Sequence, residues 1–429
     1  MELTAEEKAM LDGAEGPAAA KAMDLLVRYG EALGADRLVE TNNVAGVIGS
    51  STPFMADYYA EQGAVGRDAI FSRFDLDSDE VVDIPQAKAF TCHLQTRVEP
   101  NNSAMFGLPD AALKYHQETQ EYSASKGVNM LNTCTPHAAG NTPVKGEHCA
   151  WMESSAVVYI NSVIGARSNT EGRESAAAAM LTRRIPYWGF HTDAARLGQY
   201  RVDVEIDVDS VMDWGMLGYY VGNCVGESVP VITGIKMTPN LVRHKHFGAA
   251  AASSGGVEMY HVVGVTPDAD TVEEAFGSNK PKETFKYGKA EMKATYENLN
   301  AKATGTDVDY VMLGCPHYTI EQVWEAARLL DGKKISGNTR LWIFTNQSVK
   351  QVAVRNGYAR TIEKAGGLIM TDTCSAMAAA APKGTKVAAT DSAKQTHYLP
   401  AIVGVEAWFG STEDCINAAL SGKWQGKAP

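Results

Sequence analysis

The run Val308-Asp309-Tyr310-Val311-Met312-Leu313-Gly314-Cys315-Pro316-His317-Tyr318-Thr319 decides the fold. An apolar strand pattern over Val308 to Leu313 stops on a glycine, a cysteine and a proline, and helical apolar spacing then runs from Thr319 to Leu330. Leu341 to Thr345 reads as the next strand, Ser348 to Asn356 as a helix and Leu368 to Thr371 as another strand. Such alternation predicts an α/β fold with a parallel sheet and helices on both faces. In that architecture the ligand crevice lies beyond the carboxyl ends of the strands.

Outward from this stretch the pattern weakens but persists. Lys386 to Thr390 and Arg201 to Val208 read as strands, and so does Met259 to Val265. Residues 79–84, 89–98 and 127–132 carry shorter strand signals, while 4–11, 18–33, 109–126, 150–164 and 171–184 carry helical ones. The polar, lysine-rich stretch 268–306 is expected at the surface or at a boundary, and Cys224 is expected in a glycine-rich loop.

A chain of 429 residues can bury a large core divided among more than one lobe. With 45% apolar and 21% charged residues it belongs among globular proteins. The formal charge of −12 is spread along the chain, and no run of lysine or arginine offers a face for phosphates, so nucleic acid is not an expected partner. The charged start, without a basic and then apolar order, and the lack of a long apolar run argue against a signal peptide or a membrane span. A cytoplasmic protein is the expectation, and in a reducing compartment its seven cysteines are expected as thiols or metal ligands.

Three of those cysteines share one local pattern. Asn132-Thr133-Cys134-Thr135-Pro136, Leu313-Gly314-Cys315-Pro316 and Thr371-Asp372-Thr373-Cys374-Ser375 each follow a short apolar strand, which places all three at strand carboxyl ends. Pro136 and Pro316 restrain the backbone, and helix starts after Pro316 and at Ser375 favour thiolates, the form that binds metal. Cys92, Cys149, Cys224 and Cys415 lack this context and read as inert packed thiols, which remains the alternative for the trio too. If the trio converges, thiolates from separate strands suit an iron–sulfur cluster better than structural zinc, which prefers local pairs of ligands. No GxGxxG or P-loop pattern implies a nucleotide or flavin.

Five separated motifs resemble the aconitase X family: Asn132 to Pro136, Gly146 to Ala156, Gly165 to Gly172, Leu313 to His317 and Asp391-Ser392-Ala393-Lys394. The resemblance, which extends to the opening at Leu3-Thr4 through Gly34-Ala35, implies an aconitase-like, three-lobed arrangement of mostly parallel sheets with flanking helices. The lobes are expected at 1–126, 127–306 and 307–429. It implies that Cys134, Cys315 and Cys374 hold a [2Fe–2S] or [4Fe–4S] cluster in a hydro-lyase. Known members dehydrate cis-3-hydroxy-L-proline or mevalonate 5-phosphate, and a small swivelling subunit is the expected partner, since the chain ends at Pro429 without room for that domain.

Asn43, Ser155, Arg167, Asn169, Glu171, Arg173, Ser392 and Lys394 form the expected substrate-binding set under this resemblance. Ser392 and Lys394 would hold a carboxylate, and His137 and His317 would serve as proton donors. Each has a bland alternative: a capped helix start for 169–175, an exposed lysine at 394, structural imidazoles at 137 and 317. The helix bearing Glu153, Ser154 and Ser155 faces either core or pocket. The chain departs from the family where members often read Ala-His-Val-Ser-Gly-Val and it has Asn42-Asn43-Val44-Ala45-Gly46-Val47, and where His137 replaces an aromatic. The imino acid is the favoured substrate because no cluster of basic residues offers a phosphate site. A non-catalytic iron–sulfur sensor or scaffold, and an α/β binding protein without metal, are the rivals.

Overall fold

Thr4 starts the first helix, Ala5–Leu11, with a reciprocal cap: its hydroxyl accepts from the Glu7 amide while the Glu7 carboxylate accepts from the Thr4 amide. The following helix, Pro17–Ala32, turns Ala22, Met23 and Leu26 into one core with the alanine-rich helix Arg173–Thr182. In this computed structural model residues 1–47 and 84–429 are described, so the expected strand at 79–84 falls, but for its last residue, outside them.

The chain is α/β, and among the described residues every strand pair but one is parallel. Strands β1 (Leu38–Glu40) and β6 (Arg184–Pro186) form an antiparallel pair. Beside them β2 (Asn43–Gly46), β3 (Phe90–His93), β4 (Val128–Asn129) and β5 (Cys149–Trp151) make a parallel sheet in the order β4-β3-β2-β5. The expected division at 126/127 therefore runs between strands of one sheet.

A second parallel sheet, β10-β7-β8-β9, is built from β7 (Tyr200–Val204), β8 (Pro230–Thr233), β9 (His261–Val262) and β10 (Thr284–Tyr287). The polar stretch 268–306 thus contributes an edge strand, with a buried tyrosine at Tyr287, and the helix Lys289–Asn300. Two helices, Val211–Val225 and Leu241–Gly255, cross this unit with their backbones nearly touching. A methyl group on Gly218 would strike the Phe247 backbone, and one on Gly222 would strike the Ala251 carbonyl, so only glycine permits the approach. That is why Gly222, Cys224 and Gly226, which read as a loop, end a helix instead.

The third sheet is the one the opening run predicts. β11 (Tyr310–Tyr318) lies at its centre, buried along its whole length, in the order β13-β12-β11-β14-β15, with β12 (Arg340–Thr345), β13 (Leu368–Thr371), β14 (Val387–Thr390) and β15 (Glu406–Phe409) all parallel. Leu313, Ile343, Ile369 and Ala389 face helices such as Ile320–Leu330 on one side. Met312, Trp342, Met370 and Ala388 face the other. Each fully buried large side chain of this kind contributes roughly 1.5–3 kcal/mol, which explains why a central strand tolerates hydrophobic residues on both faces.

Elsewhere the sequence patterns overreach. Cys149 and Ala150 lie on β5 rather than in a helix, and the helix begins only at Ser154, capped by the Glu153 carboxylate. Apolar runs at 89–98, 127–132 and 259–265 keep extended pairing for only part of their length, because their flanks turn away into loops around the strand ends.

Candidate active site

Three loops leave strand carboxyl ends and meet. Cys134 follows β4, Cys315 lies inside the irregular end of β11 where its register with β12 shifts, and Cys374 caps the short helix Ser375–Ala378 after β13. Gly314 takes φ +100° and passes so close to the Phe344 carbonyl that any side chain would collide with it. This bend aims Cys315 off the sheet. All three thiols are buried and line one cavity of about 330 Å³, together with Gln95, Glu153, Pro316, Met377, Lys394, Gln395 and Tyr398.

Burial raises the pKa of all three thiols, and the nearby Cys315 adds to it at Cys134 and Cys374. Glu153 and Cys315 push Cys134 further up against the opposing amide of His317. Cys315 helps to push Cys374 to about 12, opposed by the amides of Met377 and Ala376 and by Lys394. Cys315 is raised by burial while Lys394, Gln395 and Ser392 pull it back. The helix-start amides expected to favour a thiolate at Cys374 are present, but burial outweighs them.

Lys394 projects into this cavity from the start of the helix Ala393–Ile402, which Ser392 caps. Its ammonium donates to Glu153 Oε1 at 2.8 Å and to Ser155 Oγ at 2.6 Å. Burial opposes its charge, yet Glu153, Cys315 and Cys134 together hold its pKa above the ordinary lysine value. The helix bearing Glu153 and Ser155 therefore turns its start toward the cavity. Asp391, accepting from Thr412 at 2.9 Å and from the Tyr318 hydroxyl, ties this turn to β11.

Other expected residues stand outside the cavity wall. His317 is buried, with Nδ1 2.9 Å from Thr133 Oγ1 and Nε2 2.9 Å from the Thr373 carbonyl. Burial, only partly offset by Thr373, lowers its pKa to about 4. With both nitrogens engaged, it joins the loops rather than facing a substrate. His137 stacks on Tyr159 with ring centres 4.0 Å apart, and burial and the Lys245 charge lower its pKa to about 3. Asn43 accepts from the Trp151 indole at 2.8 Å.

The loop expected to supply an arginine runs elsewhere. Arg167 donates to the His191 carbonyl at 2.8 Å and pairs with Asp193 in a separate pocket with Arg196, His261 and Asp268. Asn169 clamps Trp188 and Phe190, Arg173 bonds Glu174, and Glu171 accepts from Ser175 at 2.6 Å. The physical reason is the helix Arg173–Thr182, whose buried alanine face docks this loop on the first core.

Three polar residues of the site carried no sequence signal. Gln95 and Gln395 direct their amide nitrogens toward Cys374 Sγ at 3.7 and 3.9 Å, and each leaves a buried carbonyl oxygen without a partner. Lys245, in the middle of Leu241–Gly255, is 4% exposed and donates to the carbonyls of Pro316 and His317 and to Gln322. Burial lowers its pKa to about 8, opposed by Cys134, Asp391 and Cys315.

Among the described residues no trio of His, Cys, Asp or Glu side chains closes on a single ion. What the cysteines share is a chamber. A cluster of irons and sulfides is wider than one ion, so three thiols spaced round a cavity, with amide donors aimed at one of them, fit that group by donor chemistry.

The chain matches known proteins throughout its length. Family models described as the aconitase X first, second and third domains match residues 1–194, 198–297 and 308–421. The phosphomevalonate dehydratase large subunit of Methanocaldococcus jannaschii is 32% identical over 97% of this chain and 99% of that protein. The cis-3-hydroxy-L-proline dehydratase of Pseudomonas aeruginosa is 31% identical over 98% of this chain and 70% of that protein. The crystal structure of Thermococcus kodakaraensis aconitase X in its holo-form superposes with a TM-score of 0.81 at 31% identity, covering 98% of this chain and all of that one. With two parallel sheets delivering their strand ends to one cysteine-lined cavity, and all three family models matched in order, the chain belongs to the aconitase X family.

Proposed function

We propose that this chain is the large subunit of an iron–sulfur hydro-lyase that dehydrates a small hydroxy acid, with Cys134, Cys315 and Cys374 holding the cluster. The observation that carries this reading is the shared cavity, which three thiols and Lys394 line together. When bound, such a cluster supplies a Lewis-acidic iron for the departing hydroxyl. Lys394, kept protonated by Glu153, binds the substrate carboxylate, and the Ser392 turn orients it. Both Glu153 oxygens are occupied, by Lys394 and by the Ala156 amide, so Glu153 holds Lys394 in place. In the elimination the α-carbon loses a proton, the β-carbon–oxygen bond breaks, a carbon–carbon double bond forms and water leaves. The acceptor of that proton is not assigned to any described residue of the wall; a base from the small partner subunit fits this reading.

The preferred substrate is cis-3-hydroxy-L-proline. Lys394 is the one cation in the cavity wall among the described residues, which matches one carboxylate and leaves nothing for a phosphate. Mevalonate 5-phosphate is the second reading, favoured by relatives named as separate large subunits, such as that of Methanosarcina mazei at 33% identity over 99% of this chain. Turnover of each compound by the reconstituted complex with its small partner separates them. The preferred reading expects pyrroline-2-carboxylate from the imino acid and no product from the phosphate ester; the reverse outcome establishes the second.

A further inference from the structure

Lysine is almost never fully buried unless an anion accompanies it, because transferring an isolated ammonium out of water costs several kcal/mol. Lys245 is 4% exposed, yet its three hydrogen-bond acceptors are neutral: the Pro316 carbonyl at 3.3 Å, the His317 carbonyl at 2.8 Å and Gln322 Oε1 at 2.5 Å. Among the described residues no carboxylate lies within ion-pair distance of it; the buried Asp391, which attracts it from further off, takes its direct hydrogen bonds from Tyr318 and Thr412. Two of these acceptors belong to the residues that directly follow Cys315. The cation of the cavity wall itself, Lys394, already shares its charge with Glu153. Lys245 cannot withdraw from this position, since its helix is pinned to Val211–Val225 by the glycine approach at Gly218 and Gly222.

We propose that the Lys245 ammonium is the fixed countercharge for the anionic group held by Cys134, Cys315 and Cys374, delivered from the second sheet's helical layer to the third sheet's cysteine loop. The inference rests on the cluster reading above. Three thiolates outweigh the positive charge of an oxidised iron–sulfide core, and Lys394, shared between Glu153 and the substrate carboxylate, does not offset the net negative charge that remains. A positive charge behind Cys315 lowers the cost of that excess and favours the added electron when the cluster is reduced. Lys245 touches neither substrate nor iron and is a positioning residue.

Two variants separate charge from packing. Lys245→Met removes the ammonium and its hydrogen bonds. Gln322→Glu leaves the ammonium in place and cancels its charge; glutamate is also the usual partner of a threonine cap, so the Thr319 cap at the start of Ile320–Leu330 is retained. Neutral His246, 3.0 Å from the Gln322 amide nitrogen, can turn its ring N–H to donate to the new carboxylate. Wild type and both variants, each with the small partner, are reconstituted anaerobically with iron and sulfide, and the midpoint reduction potential and the rate of iron loss to a chelator are measured. Both variants should show a lower potential and lose iron on the order of tenfold faster. A Gln322→Glu protein with wild-type potential and iron retention overturns the countercharge, even if Lys245→Met loses iron or fails to fold, because packing alone then explains the lysine. If wild type takes up no iron, the cluster reading itself falls and takes this inference with it; if wild type loads normally and the variants match it, only the role of Lys245 is lost.

Discussion

The backbone amide of His317 donates to the sulfur of Cys134 at 3.3 Å, across 183 residues of sequence. The same histidine lies two residues past Cys315, and its ring meets Thr133 beside Cys134 and Thr373 beside Cys374. One buried residue thereby fixes the mutual positions of three loops that come from two different sheets.

Replacing His317 with alanine should therefore damage assembly before chemistry. Two buried hydrogen bonds and a ring's packing are lost together, at a cost of about 3 kcal/mol. The expected result is a lower melting temperature and reduced iron uptake. A variant with wild-type stability and iron content would show that the ring does not gather the loops.

Lys394 should behave differently. Lys394→Met removes the cation proposed to bind the substrate carboxylate, with a loss of about 3 kcal/mol, or roughly a hundredfold in kcat/KM. Iron content should stay near that of wild type, because Lys394 ligates nothing. Unchanged kcat/KM would remove Lys394 from the substrate site.

Glu171 offers a test that depends on pH. Burial first, then Glu258, against the Ser175 hydroxyl, raises its pKa from 4.5 to about 7. Between these two values the native state keeps a proton that the unfolded chain has lost, so this group's contribution is full below pH 4.5 and is lost as pH rises toward 7. Glu171→Gln cannot ionise and escapes that loss. Above pH 7 it should be more stable than wild type by as much as about 3 kcal/mol, with the gap closing toward pH 4.5. Denaturant melts across this range would show a constant gap if Glu171 is ordinary in the fold.

The parts of the molecule legible in the sequence are those where local pattern and tertiary role agree. The β11 to β13 alternation is clear because central strands of a parallel sheet must be apolar on both faces, and Cys315 and Cys374 stand out because a sheet's carboxyl edge is where such strands stop. Lys245 is illegible, since a lysine inside His244-Lys245-His246 carries the pattern of a solvated helix face and only its tertiary contacts with Pro316, His317 and Gln322 bury it. Arg167, Asn169, Glu171 and Arg173 were assigned to the pocket by resemblance alone. Nothing in a capped helix start states which way its loop will face, and here it faces the alanine-rich first core.

Iron and sulfide analysis of the protein purified anaerobically with its small partner, alongside Cys134→Ser, Cys315→Ser and Cys374→Ser, tests the shared cluster most directly. Wild type should hold roughly two to four irons with matching sulfide, and each single substitution should lower both while leaving the fold intact. Wild type without iron or sulfide, or any one of the three variants retaining the full complement, would contradict it.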